Sequence, residues 1–238
     1  MSSPPARGFV HARGLRASLN ELLIREGRAM TIRQRRALSL TGVALLAAFA
    51  IILVLVVTGA STGWDRAWMQ DLLPWRESVP LVSVSLFLNV FGSGVIGTYV
   101  MPLLISGLLW WRRGLRTGLY FLIASLVSAL LVQLVKKIIE RPRPEVLMVS
   151  ADHGSFPSGH TANAATMMIA LALIFGRWWI AWIGTIYVVI MALSRNLLGA
   201  HWFTDTLAGA TLGAGIALLA WLIFFRPGRG KHTTQLSR

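Results

Sequence analysis

The 238-residue sequence has no cysteine and only nine acidic residues against 23 lysines and arginines. Without cysteine, the chain forms no disulfide and holds no metal through thiolates. Charged residues make up only 13% of the sequence and hydrophobic residues 55%, which argues against a soluble protein. Internal repeats and low-complexity tracts are also absent from the sequence. A membrane protein is therefore the expected class.

Long uncharged runs divide most of the chain. There are six: Ala37–Trp64, Ser78–Trp111, Thr117–Val135, Thr161–Gly176, Trp178–Ser194 and Thr206–Phe225. Most approach or exceed the ~20 residues with which a helix crosses a bilayer, and helices satisfy their own backbone groups inside lipid. The second run is too long for one helix, so we place a break at Phe91–Gly94, between a short interfacial or re-entrant piece and a span. The sequence therefore predicts an all-α, polytopic membrane protein with six transmembrane helices.

Basic tails flank this predicted membrane domain. We expect a cytoplasmic N-terminal tail over residues 1–36, the six-helix domain over 37–225 and a cytoplasmic C-terminal tail over 226–238. Within the first tail, Leu15–Met30 suits either an amphipathic surface helix or a disordered segment. With the N-terminus inside, the inner segments hold 16 of the 23 lysines and arginines, as the positive-inside rule requires. The net charge of +14 thus follows from topology, and we predict no nucleic-acid partner.

Three polar clusters are unusual for a membrane protein. The first is Lys136–Pro144 after the third predicted span, the second is Ser155–His160 before the fourth, and the third runs from Ser194 to Asp205 between the last two. The predicted topology places all three at the outer face. Because that topology used only span counting and loop charge, the coincidence supports a shared site.

Cations in these clusters suit a phosphate group. Lys136, Arg143 and Arg195 have few carboxylates among them, and arginine binds two phosphate oxygens at once while lysine adds a point charge. Ser158 and Gly159 at a helix start add a hydroxyl and exposed N–H groups, and glycine permits close approach of the backbone. We therefore predict that these five residues hold a substrate phosphate.

Two histidines and an aspartate complete the set. His201 and Asp205 are four residues apart and share one face of a helix, so the carboxylate can fix the ring tautomer of a nucleophilic His201. His160 then suits the general acid that protonates the leaving oxygen. Each feature alone also has a structural explanation: a helix cap for Ser158, snorkelling for the cations and a structural His–Asp pair.

Taken together, the motifs resemble the three-part signature of the type 2 phosphatidic-acid phosphatase superfamily. The matching segments are Lys136-x6-Arg143-Pro144, Pro157-Ser158-Gly159-His160 and Ser194-Arg195-x5-His201-x3-Asp205. The resemblance implies a six-helix membrane fold with an extracytoplasmic site, a phosphohistidine on His201, support from Asp205 and acid catalysis by His160. It also implies no cofactor and no metal, in keeping with the lack of clustered carboxylates that would hold magnesium.

The expected function is hydrolysis of lipid phosphates or diphosphates in a bacterial plasma membrane. Undecaprenyl diphosphate, phosphatidic acid, phosphatidylglycerol phosphate and diacylglycerol pyrophosphate are the substrates that the resemblance suggests. A phosphotransferase that passes the phosphate to another lipid or sugar is the alternative enzyme. A transporter or channel for anionic lipids or phosphate is the alternative from another class, and it leaves the His201–Asp205 spacing unexplained. A lipid-binding protein that has lost catalytic activity is a third alternative, and the intact signature argues against it.

Other features carry weaker expectations. Arg141 either gates the pocket or faces lipid headgroups, and the tryptophan-rich Trp64–Trp75 reads as an interfacial belt without a chemical role. Gly209-x3-Gly213 predicts helix packing within the chain and is no evidence for a dimer.

Overall fold

The computed structural model describes residues 30–92, 95–150 and 154–225. All regular elements in these ranges are helical, so the predicted all-α class is confirmed. The α-helices are α1 (Ile32–Val57), α2 (Thr62–Leu72), α3 (Val79–Gly92), α4 (Met101–Arg113), α5 (Leu115–Ile139), α6 (Gly159–Phe175), α7 (Trp178–Leu197) and α8 (Phe203–Phe224). A 3-10 helix, Leu73–Glu77, follows α2, and a π-helix, Ile96–Val100, leads into α4.

Several of these helices suit a membrane. Helices α1, α5, α7 and α8 are long and apolar enough to cross one, and α3 with Ile96–Arg113 forms a further candidate bent by 53°. The bend separates Gly92 from Ile96, which flank the end of the predicted break. Helix α6 is apolar but has only 17 residues. The chain is therefore a multi-pass membrane protein. Its described residues contain four or five candidate spans by length and composition, and a sixth span stays a prediction.

Most residues of the two predicted tails lie outside the residues that the structure describes. Helix α1 begins at Ile32, ahead of the predicted domain boundary at residue 37, so the last arginines of the N-terminal tail are already helical. Residues 1–29, which include nearly all of Leu15–Met30, and the C-terminal tail over 226–238 lie outside the described residues.

Two glycines allow α6 and α8 to pack closely. A side-chain carbon added at Gly209 would lie 2.4 Å from the carbonyl oxygen of Ser158, and one at Gly213 would lie 2.2 Å from that of Ala162. Any larger residue would push the two helices apart. The prediction that Gly209-x3-Gly213 packs helices within the chain is therefore confirmed.

This packing also sets the register between the two helix starts. The backbone N–H of Ser158, just before α6, donates to the carbonyl of Asp205 in the first turn of α8, with 2.9 Å between the atoms. Since α5 and α7 end at the same side of the bundle at which α6 and α8 begin, the three polar clusters meet there.

Candidate active site

The first cluster folds back over the end of α5. Glu140 ends the helix in the left-handed conformation, with φ of 46°, which turns the chain towards Arg143. Lys136, only 5% exposed in the last turn of α5, donates from Nζ to the carbonyl of Gly154 at 3.0 Å. Arg143 donates from Nη2 to the same carbonyl at 2.9 Å and from Nη1 to the carbonyl of Ala200. Two predicted phosphate ligands therefore converge on one backbone oxygen.

Ser158 and Gly159 form the predicted helix start. Ser158 is fully buried and caps α6, because its side chain accepts from the backbone N–H of Thr161. A side-chain carbon at Gly159 would meet only Val132, at 3.6 Å. The first turn of α6 contains no acidic residue, so nothing on the helix itself neutralises the positive end of its dipole.

His201 lies in the turn between α7 and α8 and is 2% exposed. Gly199, with φ of 64°, reverses the chain after α7, and the N–H groups of Ala200 and His201 both donate to the carbonyl of Arg195. The side-chain amide of Asn196 donates to the carbonyl of His201 at 3.0 Å. Hydrogen bonds to the backbone N–H and carbonyl of His201 therefore hold the candidate nucleophile in place.

The ring of His201 is oriented by a backbone carbonyl. Its Nδ1 lies 2.7 Å from the oxygen of Ser155. Since a carbonyl only accepts, Nδ1 carries the proton and Nε2 keeps the free lone pair in the neutral ring. Ser155 is in turn held by the first cluster, through its N–H to the carbonyl of Arg141 at 2.8 Å and its hydroxyl to that of Pro142 at 3.2 Å.

Asp205 does not form the direct hydrogen bond with His201 that their spacing in the sequence suggests. Its Oδ2 is 3.6 Å from Nδ1 of His201, an electrostatic contact beyond hydrogen-bond length. That oxygen accepts from the N–H of Trp202 at 2.9 Å, and Oδ1 accepts from Arg141 at 2.6 Å. The carboxylate thus lies near the ring, but the hydrogen bonds that it accepts come from Trp202 and Arg141.

Asn89 on α3 joins the two remaining candidates. Its side-chain oxygen accepts from Nη1 of Arg195 at 2.7 Å, and its backbone oxygen lies 3.1 Å from Nε2 of His160. Arg195 is 2% exposed. Burial lowers the pKa of His160, and the charges of Arg195 and Lys136 lower it further. Asn89 was not predicted, although it is an amide in a helix whose other polar side chains are two serines.

The surroundings of His201 favour the neutral ring. Burial lowers the pKa of His201 well below its usual range, and the charges of Lys136, Arg195 and Arg143 lower it further, against the opposing bond to Ser155. A neutral ring with Nδ1–H has a nucleophilic Nε2 at neutral pH. The electrostatics therefore agree with the tautomer that the geometry gives.

Arg141 and Asp65 correct two expectations. The Arg141 guanidinium is only 11% exposed and pairs with Asp65 and Asp205, each at 2.6 Å, so it neither faces headgroups nor acts as a free gate. Asp65, 1% exposed, lies in the segment expected to be only an interfacial belt. The segment holds two acids, Asp65 and Asp71, and nothing in the sequence shows which of them is buried.

A cavity of about 700 Å³ borders this site. Its lining includes Asp65, Arg66, Met69, Arg141, Arg143 and Trp202. Neither His160 nor His201 is among its lining residues, so it lies beside Arg143, a predicted phosphate ligand, rather than over the ring of His201. Within the described ranges, no three histidines or acidic residues are grouped as a metal site.

Comparison with known proteins identifies the family of the chain. The family model of the PAP2 superfamily matches residues 117–229. A decaprenylphosphoryl-5-phosphoribose phosphatase from Mycobacterium tuberculosis is 34% identical over 137 residues, which cover 56% of this chain and 74% of that protein. A lipid A 1-phosphatase from Rhizobium johnstonii is 32% identical over 125 residues, or 47% of this chain and 49% of that protein.

The chain thus spans about half the length of the lipid A 1-phosphatases it matches. Among solved structures, the transmembrane PAP2 type phosphatidylglycerolphosphate phosphatase from Bacillus subtilis superposes with a TM-score of 0.68 and 26% identity, covering 76% of this chain and 94% of that one. Family model, relatives and fold agree, and the chain belongs to the PAP2 superfamily.

Proposed function

We propose that this protein is a membrane phosphatase that cleaves lipid phosphates or diphosphates through a phosphohistidine on His201. The observation that carries the proposal is the bond between Nδ1 of His201 and the Ser155 carbonyl. It leaves Nε2 as the nucleophilic nitrogen, within the field of three cations, Lys136, Arg143 and Arg195.

The reaction follows in two balanced steps. In the first, Nε2 of His201 bonds to phosphorus as the bond to the leaving oxygen breaks, and that oxygen takes a proton from His160, which enters the step as the imidazolium and leaves it neutral. In the second, the oxygen of water bonds to phosphorus as the bond from phosphorus to Nε2 breaks, and His160 accepts the water proton. Inorganic phosphate leaves and His201 is regenerated. The three cations and the N–H groups at the start of α6 offset the charge on the phosphoryl oxygens.

The substrate class follows from location and relatives. The site lies at the ends of long apolar helices, where a lipid phosphate reaches it from the bilayer. The relatives are named as phosphatases of lipid A, of a decaprenyl-linked phosphoribose and of phosphatidylglycerophosphate. We place the site on the extracytoplasmic side of a bacterial plasma membrane, because 16 of the 23 lysines and arginines then lie inside.

Phosphate release from a lipid panel tests the proposal. Purified protein in detergent with EDTA should release phosphate from at least one of undecaprenyl diphosphate, phosphatidic acid and phosphatidylglycerol phosphate. Lys136→Met should abolish release, while Lys137→Met, which changes the exposed neighbouring lysine, should not. No release from any lipid, or equal loss in both variants, contradicts the proposal. Label that moves to an added lipid or sugar acceptor instead of water would favour a phosphotransferase.

A further inference from the structure

A buried chain of charges connects α2 to the nucleophile. Arg141 lies between Asp65 and Asp205, with 2.6 Å from its guanidinium nitrogens to each carboxylate. Asp65 is 1% and Asp205 0% exposed. Two carboxylates removed from water are costly unless each is paired, so the single guanidinium serves both.

Asp65 also holds the start of α8. Its Oδ1 accepts from the backbone N–H of Thr204 at 2.9 Å, and its Oδ2 accepts from the Thr204 hydroxyl at 2.8 Å. These are bonds that a capping residue normally supplies from within the helix. Here a residue 139 positions earlier supplies them, so α2 is attached to the helix start that bears Asp205.

We infer that Asp65 is a positioning residue, which acts on His201 through Arg141 and Asp205. The proposal rests on the proposed function of His201. Asp205 lies 3.6 Å from Nδ1 of His201, and phosphorylation at Nε2 makes the ring positive. Asp205 stabilises the positive ring less when Arg141 neutralises its carboxylate. Because Arg141 also pairs with Asp65, it neutralises Asp205 only in part, and the remaining negative charge of Asp205 acts on the ring.

Asp65→Asn tests this role. The amide still offers an oxygen to Thr204, but it carries no charge. Of the two carboxylates, only Asp205 then remains to pair with the Arg141 guanidinium. The rate of phosphoenzyme formation and kcat should fall about 10- to 100-fold, by analogy with the residues that orient metal-bound histidines. The KM should stay unchanged or decrease, because Lys136, Arg143 and Arg195 keep their places and the site becomes less negative. Asp65→Glu should recover part of the lost rate.

Asp71→Asn is the matched control. It removes an exposed acid from the same helix and should leave both kcat and KM as in the unchanged protein. If Asp65→Asn matched this control, or if it raised KM as strongly as it lowered kcat, a positioning role would be excluded. An unchanged protein that hydrolyses no lipid would instead contradict the proposed function.

A stability cycle decides the charge coupling without turnover. Arg141→Gln leaves Asp65 and Asp205 buried with no cation between them, whereas Arg141→Gln with Asp65→Asn leaves only one buried charge. The double variant should therefore unfold at a higher temperature than Arg141→Gln alone, although it carries one more substitution. A double variant that unfolds at the same or a lower temperature would overturn the coupling, whether or not the protein is active.

Discussion

Replacing the two histidines separately should distinguish nucleophile from acid. His201→Asn is the sharper change at the nucleophile, because the amide N–H can still donate to the Ser155 carbonyl that holds Nδ1. It removes Nε2 and with it the phosphoenzyme. His160→Ala removes the candidate acid, the ring whose Nε2 lies 3.1 Å from the backbone oxygen of Asn89.

The two losses should differ in size and in their dependence on the substrate. Loss of a nucleophile that acts with a supporting group costs roughly 10⁴-fold or more in kcat, about 5.5 kcal/mol of barrier. Loss of a general acid costs ~10²- to 10⁴-fold, and only where the leaving group needs a proton. His160→Ala should therefore be slow on a lipid alkoxide and much less impaired on p-nitrophenyl phosphate, while His201→Asn should be inactive on both.

Acid-quench trapping of labelled phosphate, with rates on both substrates, checks these expectations. Unfolding temperatures near that of the unchanged protein show that each variant is folded. Label trapped on His201→Asn but not on His160→Ala would require the two roles to be exchanged. Full activity in either variant would refute its assignment.

Three further predictions concern inhibition, topology and packing. Turnover should persist in EDTA, and vanadate should inhibit as a five-coordinate mimic of the transition state; a strict requirement for added magnesium would contradict the mechanism. Reporter fusions after Arg113 and Arg238 should read cytoplasmic and one after Glu145 external; a cytoplasmic signal at Glu145 would reverse the topology. Gly213→Ala should lower the free energy of unfolding by about 1–3 kcal/mol through overpacking, whereas Gly107→Ala, with open space around it, should be neutral or slightly stabilising in thermal unfolding.

Sequence predicts best the features that depend on residues adjacent to one another in the chain. The helical class and the break near Phe91–Gly94 follow from run length and glycine content. Ser158 as a cap of α6 follows from its place before an apolar run. The convergence of the three polar clusters follows from simple alternation of helices, which brings every second helix end to the same side of the bundle.

Features that depend on distant partners were not accessible in this way. Asp65 finds its partners 76 and 139 positions along the chain, and Asn89 finds Arg195 106 positions along. The carbonyl of Ser155 is a backbone group, which residue identity does not reveal. The spacing of His201 and Asp205 indicated a direct pair, but the capping bond from Trp202 and the ion pair with Arg141 take up the carboxylate.

The charges at the four helix ends indicate where the phosphate binds. Lys136 and Arg195 lie in the last turns of α5 and α7, where helix dipoles favour cations. Both α6 and α8 begin beside them, and either helix start is a possible anion site. The start of α8 is already neutralised, since Asp205 accepts from Trp202 and Asp65 accepts from Thr204.

The start of α6 has no acidic residue in its first turn, and its capping group is the neutral hydroxyl of Ser158. An incoming phosphate is therefore repelled at α8 and attracted at α6. We expect the phosphate to bind over Ser158 and Gly159, with His201 approaching from the start of α8. The two carboxylates that exclude phosphate from α8 are the same two that hold Arg141. One arrangement would thus select the proposed binding position and keep a negative charge behind His201, the proposed nucleophile.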